Sequence, residues 1–192
     1  MTEIPTPHGP ARIVRHDAAD ARALLLLGHG AGGGVAAPDL VTACAAAVAA
    51  GVSVVLVEQP YRVAGRRAPA PAGQLDMAWL AVAEHVGAGL PLLFGGRSSG
   101  ARVACRTASE GRAVGVLCLA FPVHPPGKPE KDRLAELAAP TVPVLVIQGE
   151  RDPFGVPAAA DGREVVLLPG DHSLRSAHPR LTAAVTDWLT RF

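Results

Sequence analysis

Short apolar runs alternate with helix-like stretches along the chain, and this alternation constrains the fold more than any other feature. Alternating strands and helices are typical of a parallel sheet covered by helices on both faces, and strands buried on both faces are almost continuously apolar. Arg12–His16 would add an edge strand. The sequence therefore predicts an α/β fold with a mostly parallel sheet of about six to seven strands. The six strongest candidate strands are Ala23–Leu27, Val52–Val57, Leu92–Phe94, Val114–Leu119, Val144–Gln148 and Glu164–Leu168.

The stretches between these strands have helical patterns, and none of the loops is long enough to link two domains. Arg66–Gly73 is rich in proline and alanine but covers only a short loop. A length of 192 residues suits one domain with a sizeable core. We expect a single α/β domain over residues 1–192. The predicted helices are Asp39–Ala50, Leu75–Val86, Ser99–Ser109, Glu130–Ala138 and Leu181–Phe192.

The charge pattern argues against several classes of partner. The formal net charge is +1 and no block of like charges occurs, so we expect neither nucleic acid nor an anionic membrane as a partner. No apolar run is long enough for a transmembrane helix, and Met1–Arg15 lacks the apolar segment of a signal peptide. Cys44, Cys105 and Cys118 are odd in number and widely spaced, which favours reduced, buried thiols. We expect a cytoplasmic protein.

Gly96–Gly100 matches the pattern G-x-S-x-G, directly after a predicted strand and directly before a predicted helix. A serine on such a sharp turn has a strained backbone, and glycines two residues before and after it remove side-chain clashes. The turn would expose the hydroxyl above a helix N-terminus, where backbone N–H groups favour a developing oxyanion. We therefore interpret Ser98 as a nucleophile. Ser99 would need a glycine at position 97, where the chain has Arg97.

A base and an acid are expected to follow this serine, the acid first and the histidine last. His172 lies in the loop after the last predicted strand and satisfies that order. Asp152 follows the preceding strand in an Asp-Pro turn, where local N–H groups can hold its carboxylate. Glu150 is the alternative acid, and Asp171 adjoins the base too closely to reach it. The less well-placed histidines are His8, His16, His85, His124 and His178.

The glycine-rich segment Gly28–Gly34 follows the first strong strand, where hydrolases have a loop that donates a second N–H to the oxyanion. We predict that the backbone N–H groups of Ala31 and Ser99 form this pair, with Gly30 close to the substrate. His29 precedes the nucleophile in the chain, and we expect it to shape the loop.

The same glycines allow a different interpretation. Gly28, Gly30 and Gly33 also fit G-x-G-x-x-G, and Glu58 ends the next strand as a ribose-binding acid would. That pattern would indicate a dinucleotide-binding domain. However, Pro38 suggests that the helix starts only after the glycines, and the interpretation leaves the serine, acid and histidine unexplained. The pattern of a P-loop is absent from the sequence.

Five segments together resemble the KANL3/Tex30-like α/β-hydrolase family, which is akin to dienelactone hydrolases. The resemblance extends from about Leu24 to His172 and implies an α/β-hydrolase fold, a Ser98/Asp152/His172 set at the matching positions and no cofactor. Some eukaryotic relatives look like scaffolds in chromatin complexes. Relatives often have the bulkier methionine where this chain has Ser99, and the smaller serine would widen the pocket beside the nucleophile. The segments are His29–Gly33, Gly96–Arg102, Phe121–Pro129, Gly149–Phe154 and Gly170–Ser173.

Taken together, these features predict a serine hydrolase of the carboxylesterase or thioesterase type, acting on a small acyl ester without metal or cofactor. Gly30, Phe121 and His124 are the predicted substrate contacts. The short segment after the fourth strong strand leaves no room for a multi-helix cap, so we expect an open groove rimmed by Phe121–Pro129, Tyr61 and Arg62. The alternatives are a catalytically silent interaction module and the dinucleotide-binding domain.

Overall fold

A computed structural model describes residues 1–87, 89–175 and 178–192 of the chain. Within these residues the strands form one eight-stranded sheet in the order β1-β2-β4-β3-β5-β6-β7-β8. The strands are β1 (Thr2–Ile4), β2 (Ala11–His16), β3 (Ala23–Gly28), β4 (Val52–Glu58), β5 (Leu92–Arg97), β6 (Gly115–Leu119), β7 (Val144–Gly149) and β8 (Arg163–Leu168).

Two layers of helices cover the sheet. The core on one face contains Trp79 and Phe94, and the core on the other face contains Leu40 and Trp188. In the described parts of the chain, every helix is too short or too polar to span a bilayer. The helices are α1 (Pro38–Ala49), α2 (Pro60–Val63), α3 (Ala72–Val86), α4 (Ser99–Thr107), α5 (Leu134–Leu137) and α6 (His178–Leu189).

The direction of the strands decides where a site can form. β3 to β8 all run parallel, whereas β1 and β2 are antiparallel to their neighbours. All six residues of β3 are buried because helices cover both faces of the sheet at its centre. The loops that follow β3, β4, β5, β7 and β8 therefore leave the sheet at one common edge, and ligand sites of α/β folds occur at this edge.

The predicted fold class is confirmed, but the predicted number of strands is wrong. β1 was not predicted because only Ile4 of its three residues is buried, and its pairing with β2, in which Ile4 lies opposite Ala11, is not visible in the short strand itself. The predicted strand Arg12–His16 is not at the edge of the sheet, as we expected, because β1 pairs along its outer side. The sheet consequently has eight strands instead of six to seven.

The helix predicted over Glu130–Ala138 is reduced to the four residues of α5. Asp132 accepts a hydrogen bond from the Leu134 N–H at 3.0 Å, and the chain before Leu134 forms turns. A short aspartate side chain that binds a nearby backbone N–H favours the start of a helix over its interior. The helical α2 was not predicted at all.

Candidate active site

Ser98 lies at the point where β5 ends and α4 begins. Its backbone φ is 53° and its ψ is −109°, in a region that residues other than glycine rarely adopt. The Ser98 N–H donates to the carbonyl of Leu119 at 2.9 Å and so anchors the turn to β6. Strain of this kind costs about 1–3 kcal/mol and persists only where surrounding contacts impose it.

The two glycines of the G-x-S-x-G pattern allow the turn to press against the end of β3. A Cβ atom on Gly96 would lie 2.6 Å from the carbonyl carbon of Gly100 and 2.7 Å from the carbonyl oxygen of Gly28. A Cβ on Gly100 would collide with the same oxygen of Gly28. These three backbones are in contact, so alanine at position 96 or 100 would push the serine away from β3.

Three loops bring Ser98, His172 and Asp152 together. His172 Nε2 lies 2.9 Å from Ser98 Oγ, and His172 Nδ1 lies 2.8 Å from Asp152 Oδ2. Because a carboxylate can only accept, Nδ1 carries the proton and Nε2 is free to accept the serine hydroxyl. The Asp152 side chain has no exposed surface and that of His172 is 14% exposed. The hydrogen bonds therefore form an unbroken series from a half-buried hydroxyl to a buried carboxylate.

Both oxygens of Asp152 are held by donors besides the histidine. Oδ1 accepts the Phe154 N–H at 2.8 Å, and Oδ2 accepts Nε2 of Gln148 at 2.7 Å. Gln148 is fully buried near the end of β7 and was missed as a functional residue. The available signal was a single amide at the end of an otherwise apolar strand. Phe154 also stacks on the His172 ring, with the ring centroids 4.1 Å apart.

The rival acids and histidines lie apart from this series. Glu150 is exposed, and the Asp171 carboxylate accepts hydrogen bonds from the Ser173 hydroxyl and N–H, which lower its pKa. Asp171 therefore stabilises its own turn. The side chain of His178 lies outside the described residues. The histidines that are exposed are His8, His16 and His85.

The loop after β3 runs beside Ser98. A Cβ atom on Gly30 would lie 3.5 Å from the Cβ of Ser98, so the loop backbone passes close to the serine. Ser99 is the first residue of α4, and N–H groups of a first helical turn have no partner within the helix. The carbonyl of Ala31 accepts the Tyr61 hydroxyl at 3.0 Å, which fixes the loop at that residue.

His29 is buried within this loop, and both of its ring nitrogens are hydrogen-bonded. Burial lowers the pKa of His29, which favours the neutral ring. Nδ1–H donates to the carbonyl of Gly30 at 2.8 Å, while Nε2 accepts the Gln59 N–H at 3.1 Å. With both nitrogens occupied, His29 shapes the loop and has no proton to exchange with a ligand.

The predicted substrate contacts differ in exposure. Gly30 passes beside Ser98, as described above. His124 is half-buried, and its backbone N–H donates to the Phe154 carbonyl at 3.0 Å, which places it against the loop of Asp152. Phe121 has no exposed surface, so its side chain belongs to the core and offers nothing to a substrate. Tyr61, expected at the rim, is also buried, at 6% exposure.

The geometry of the dinucleotide fingerprint is absent from this loop. Gly28 ends β3, and α1 begins only at Pro38, so the glycines do not lead directly into a helix N-terminus. Glu58 forms an ion pair with Arg12 at 3.3 Å. The fingerprint needs a helix whose first N–H groups face the pyrophosphate. Gly28 and Gly30 leave room for the G-x-S-x-G turn instead.

The chain is similar to a known family and to several solved structures. A model of the alpha/beta hydrolase domain matches residues 21–180. Est1E from Butyrivibrio proteoclasticus, with ferulic acid bound, superposes with a TM-score of 0.79 and 15% identity over 100% of this chain and 98% of Est1E. XC6422 from Xanthomonas campestris, a serine hydrolase without a lid, gives 0.78 and 21% over 99% and 93%. Dienelactone hydrolase from Anabaena variabilis gives 0.77 and 16% over 100% and 96%. No curated protein matches the sequence.

Proposed function

Because the chain belongs to the alpha/beta hydrolase domain family, we propose that it is a serine hydrolase that cleaves a small ester or thioester through an acyl-enzyme intermediate. The observation that carries the proposal is the series of hydrogen bonds from Ser98 through His172 to Asp152, at 2.9 Å and 2.8 Å. This arrangement can activate a serine hydroxyl, which is otherwise a weak nucleophile.

Acylation begins when Ser98 Oγ attacks the carbonyl carbon of the substrate and His172 Nε2 takes the hydroxyl proton. Asp152 stabilises the imidazolium without accepting its proton, because the Nδ1–H···Oδ2 hydrogen bond is already formed. The N–H groups of Ser99 and Ala31 are proposed to hold the oxyanion. The tetrahedral intermediate then collapses, and His172 gives its proton to the departing alcohol or thiol.

Deacylation repeats these steps with water in place of the serine. His172 takes a proton from the water, the hydroxide attacks the acyl carbonyl, and Ser98 regains its proton as the carboxylic acid leaves. The positive φ of Ser98 keeps its hydroxyl over the N-terminus of α4 throughout. In this scheme the backbone strain at Ser98 is part of the site's preorganisation, since it fixes the nucleophile relative to the oxyanion donors.

We also propose the finer features of this activity. Gly30 lets a substrate approach Ser98, and His124 lines the approach. The chemistry needs neither metal nor cofactor, and a small-molecule ester is the partner.

We propose that the chain is related to the KANL3/Tex30-like hydrolases, and the Phe121–Pro129 segment supports this. We propose one domain over residues 1–192, and a cytoplasmic setting is supported by the three free, buried cysteines.

Covalent labelling with a fluorophosphonate tests the proposal directly. The probe should modify Ser98 in a one-to-one ratio with protein, because the neighbouring base activates that hydroxyl. Ser98→Ala should abolish labelling, while the matched change Ser99→Ala should leave most of it, since Ser99 contributes only its backbone N–H. Labelling that persists in Ser98→Ala, or no labelling of the wild-type chain, would overturn the proposal.

A further inference from the structure

Arg97, which precedes Ser98 at a position that the G-x-S-x-G pattern leaves open, has a side chain that bridges two other segments of the site. Its Nε donates to Asp39 Oδ2 at 3.2 Å, and its Nη2 donates to the backbone carbonyl of His172 at 3.1 Å. The Arg97 side chain is 21% exposed, whereas that of Asp39 is 1% exposed. The cation is therefore held between a buried carboxylate and the main chain of the base itself.

The same guanidinium also supports the loop after β3. A Cβ atom on Gly30 would lie 2.8 Å from Arg97 Nη1 and 3.3 Å from its Cδ, so the Gly30 backbone rests on the arginine side chain. Asp39 belongs to the first turn of α1, which follows this loop directly. One side chain thus contacts the loop that contains Ala31, the helix that ends this loop, and the loop of His172.

We propose that Arg97 is a positioning residue, which sets the position of His172 relative to Ser98 and holds Gly30 beside the nucleophile. It acts through the His172 carbonyl and the Gly30 backbone and does not touch the substrate. This inference rests on the proposed hydrolase function. It assigns a role to a position where the G-x-S-x-G pattern specifies no residue.

The chemistry of the contacts explains why an arginine suits this position. A guanidinium presents several N–H donors in a fixed plane, so it can bind a carboxylate and a carbonyl at the same time. A lysine has a single ammonium on a flexible stem and cannot fix both distances. Burial raises the pKa of Asp39, and the Arg97 charge opposes that rise. A buried carboxylate of this kind is tolerated only while its cation is present.

The test measures fluorophosphonate labelling of the full chain, with the amplitude and the rate constant recorded separately. The amplitude gives the fraction of correctly folded sites, and the rate constant per labelled site gives the geometry of nucleophile and base. The main variant is Arg97→Met with Asp39→Asn, which removes the bridge without leaving a buried charge unpaired. The control is Arg106→Met with Asp76→Asn, an ion pair of α4 and α3 whose arginine is 18% exposed and lies outside the site. Arg106 also pairs with Glu136, which keeps Arg102 as its partner in the control.

We expect the main variant to retain its amplitude and to lose about 10²-fold in rate constant, the effect of misplacing a catalytic group by about 1 Å. The control should retain both. Arg97→Lys should keep its amplitude and still be slow, because the ammonium cannot bridge both partners. A wild-type rate per site in either Arg97 variant, or loss of amplitude alone, would reduce Arg97 to a structural role and overturn the inference. Failure of the wild-type chain to label would instead refute the proposed function.

Discussion

At the scale of single residues, the surroundings of Asp152 make it a better partner for His172 than Glu150. Asp152 has three donors on its two oxygens, namely His172, Gln148 and the Phe154 N–H, whereas Glu150 is exposed. We expect Asp152→Asn to lower kcat about 10⁴-fold, because an amide would favour the wrong tautomer of the histidine.

Steady-state hydrolysis of an activated ester measures this loss. Glu150→Gln is the matched control, since it removes a carboxylate from the same loop without touching His172. It should change kcat only slightly. A larger loss in Glu150→Gln than in Asp152→Asn would show that the acid is assigned to the wrong residue.

The three cysteines should be inert in the folded chain. Burial raises the pKa of the Cys44 thiol to about 11, and the hydrogen bond to Cys105 together with burial raises that of Cys118. At a pH near 8, about one Cys44 thiol in 10³ is then ionised, and only thiolates react. We expect thiol reagents to modify the native chain at the rate of its unfolding. Rapid, stoichiometric labelling without denaturant would contradict this burial.

At the scale of elements, the short α5 is tied to α4 by a cluster of charges. Glu136 accepts hydrogen bonds from Arg102 at 2.6 and 2.7 Å and from Arg106 at 3.0 Å. Burial alone would raise the pKa of Glu136, but the two arginines outweigh it and the pKa is lowered. The stabilisation is therefore complete above the ordinary pKa of 4.5 and is lost as the pH falls below it.

We accordingly expect Glu136→Gln to reduce the free energy of unfolding by about 1–2 kcal/mol at neutral pH, because these contacts are only partly buried. Urea denaturation at a series of pH values measures the difference, which should shrink as the pH falls below 4.5. The exposed Glu84→Gln in α3 is the control and should have little effect. A difference that is independent of pH would mean that the Glu136 charge does not stabilise α5.

The elements also show which parts of the fold and of the site could be predicted from the sequence. Strands buried on both faces must be apolar throughout, so β3 to β7 could be recognised without any partner. The G-x-S-x-G pattern could also be recognised locally, because it spans only five residues, although its glycines also make room for Gly28 of β3. The pattern led to the three side chains that the structure brings together. Their catalytic roles stay a prediction. The proposed role of Arg97 could not be foreseen, since Arg97 meets Asp39 and His172 across 58 and 75 residues.

At the scale of the whole molecule, the chain between β6 and β7 determines how the site meets solvent. Residues 120–143 contain only the four-residue α5 as a helix. His124 of this segment contacts the loop of Asp152, since its N–H donates to the Phe154 carbonyl at 3.0 Å. The chain then folds back on itself, and the Arg133 N–H donates a hydrogen bond to the Val123 carbonyl at 2.7 Å. No further helix of this segment is available to cover Ser98.

An uncovered site buries little of a long acyl chain, which leads to a prediction for substrate preference. Each buried CH₂ contributes about 0.8 kcal/mol, so kcat/KM should rise over the first few carbons and then level off where the chain leaves the protein. A series of p-nitrophenyl esters from acetate to palmitate measures this dependence. Short esters dissolved in water should be preferred, and an oil–water interface should bring no increase in rate, because residues 120–143 form no lid for the interface to open. A value of kcat/KM that still rises beyond about eight carbons would require a buried acyl tunnel. Interfacial activation would require a moving cover over Ser98. Residues 120–143 are too short, and contain too little helix, to supply either.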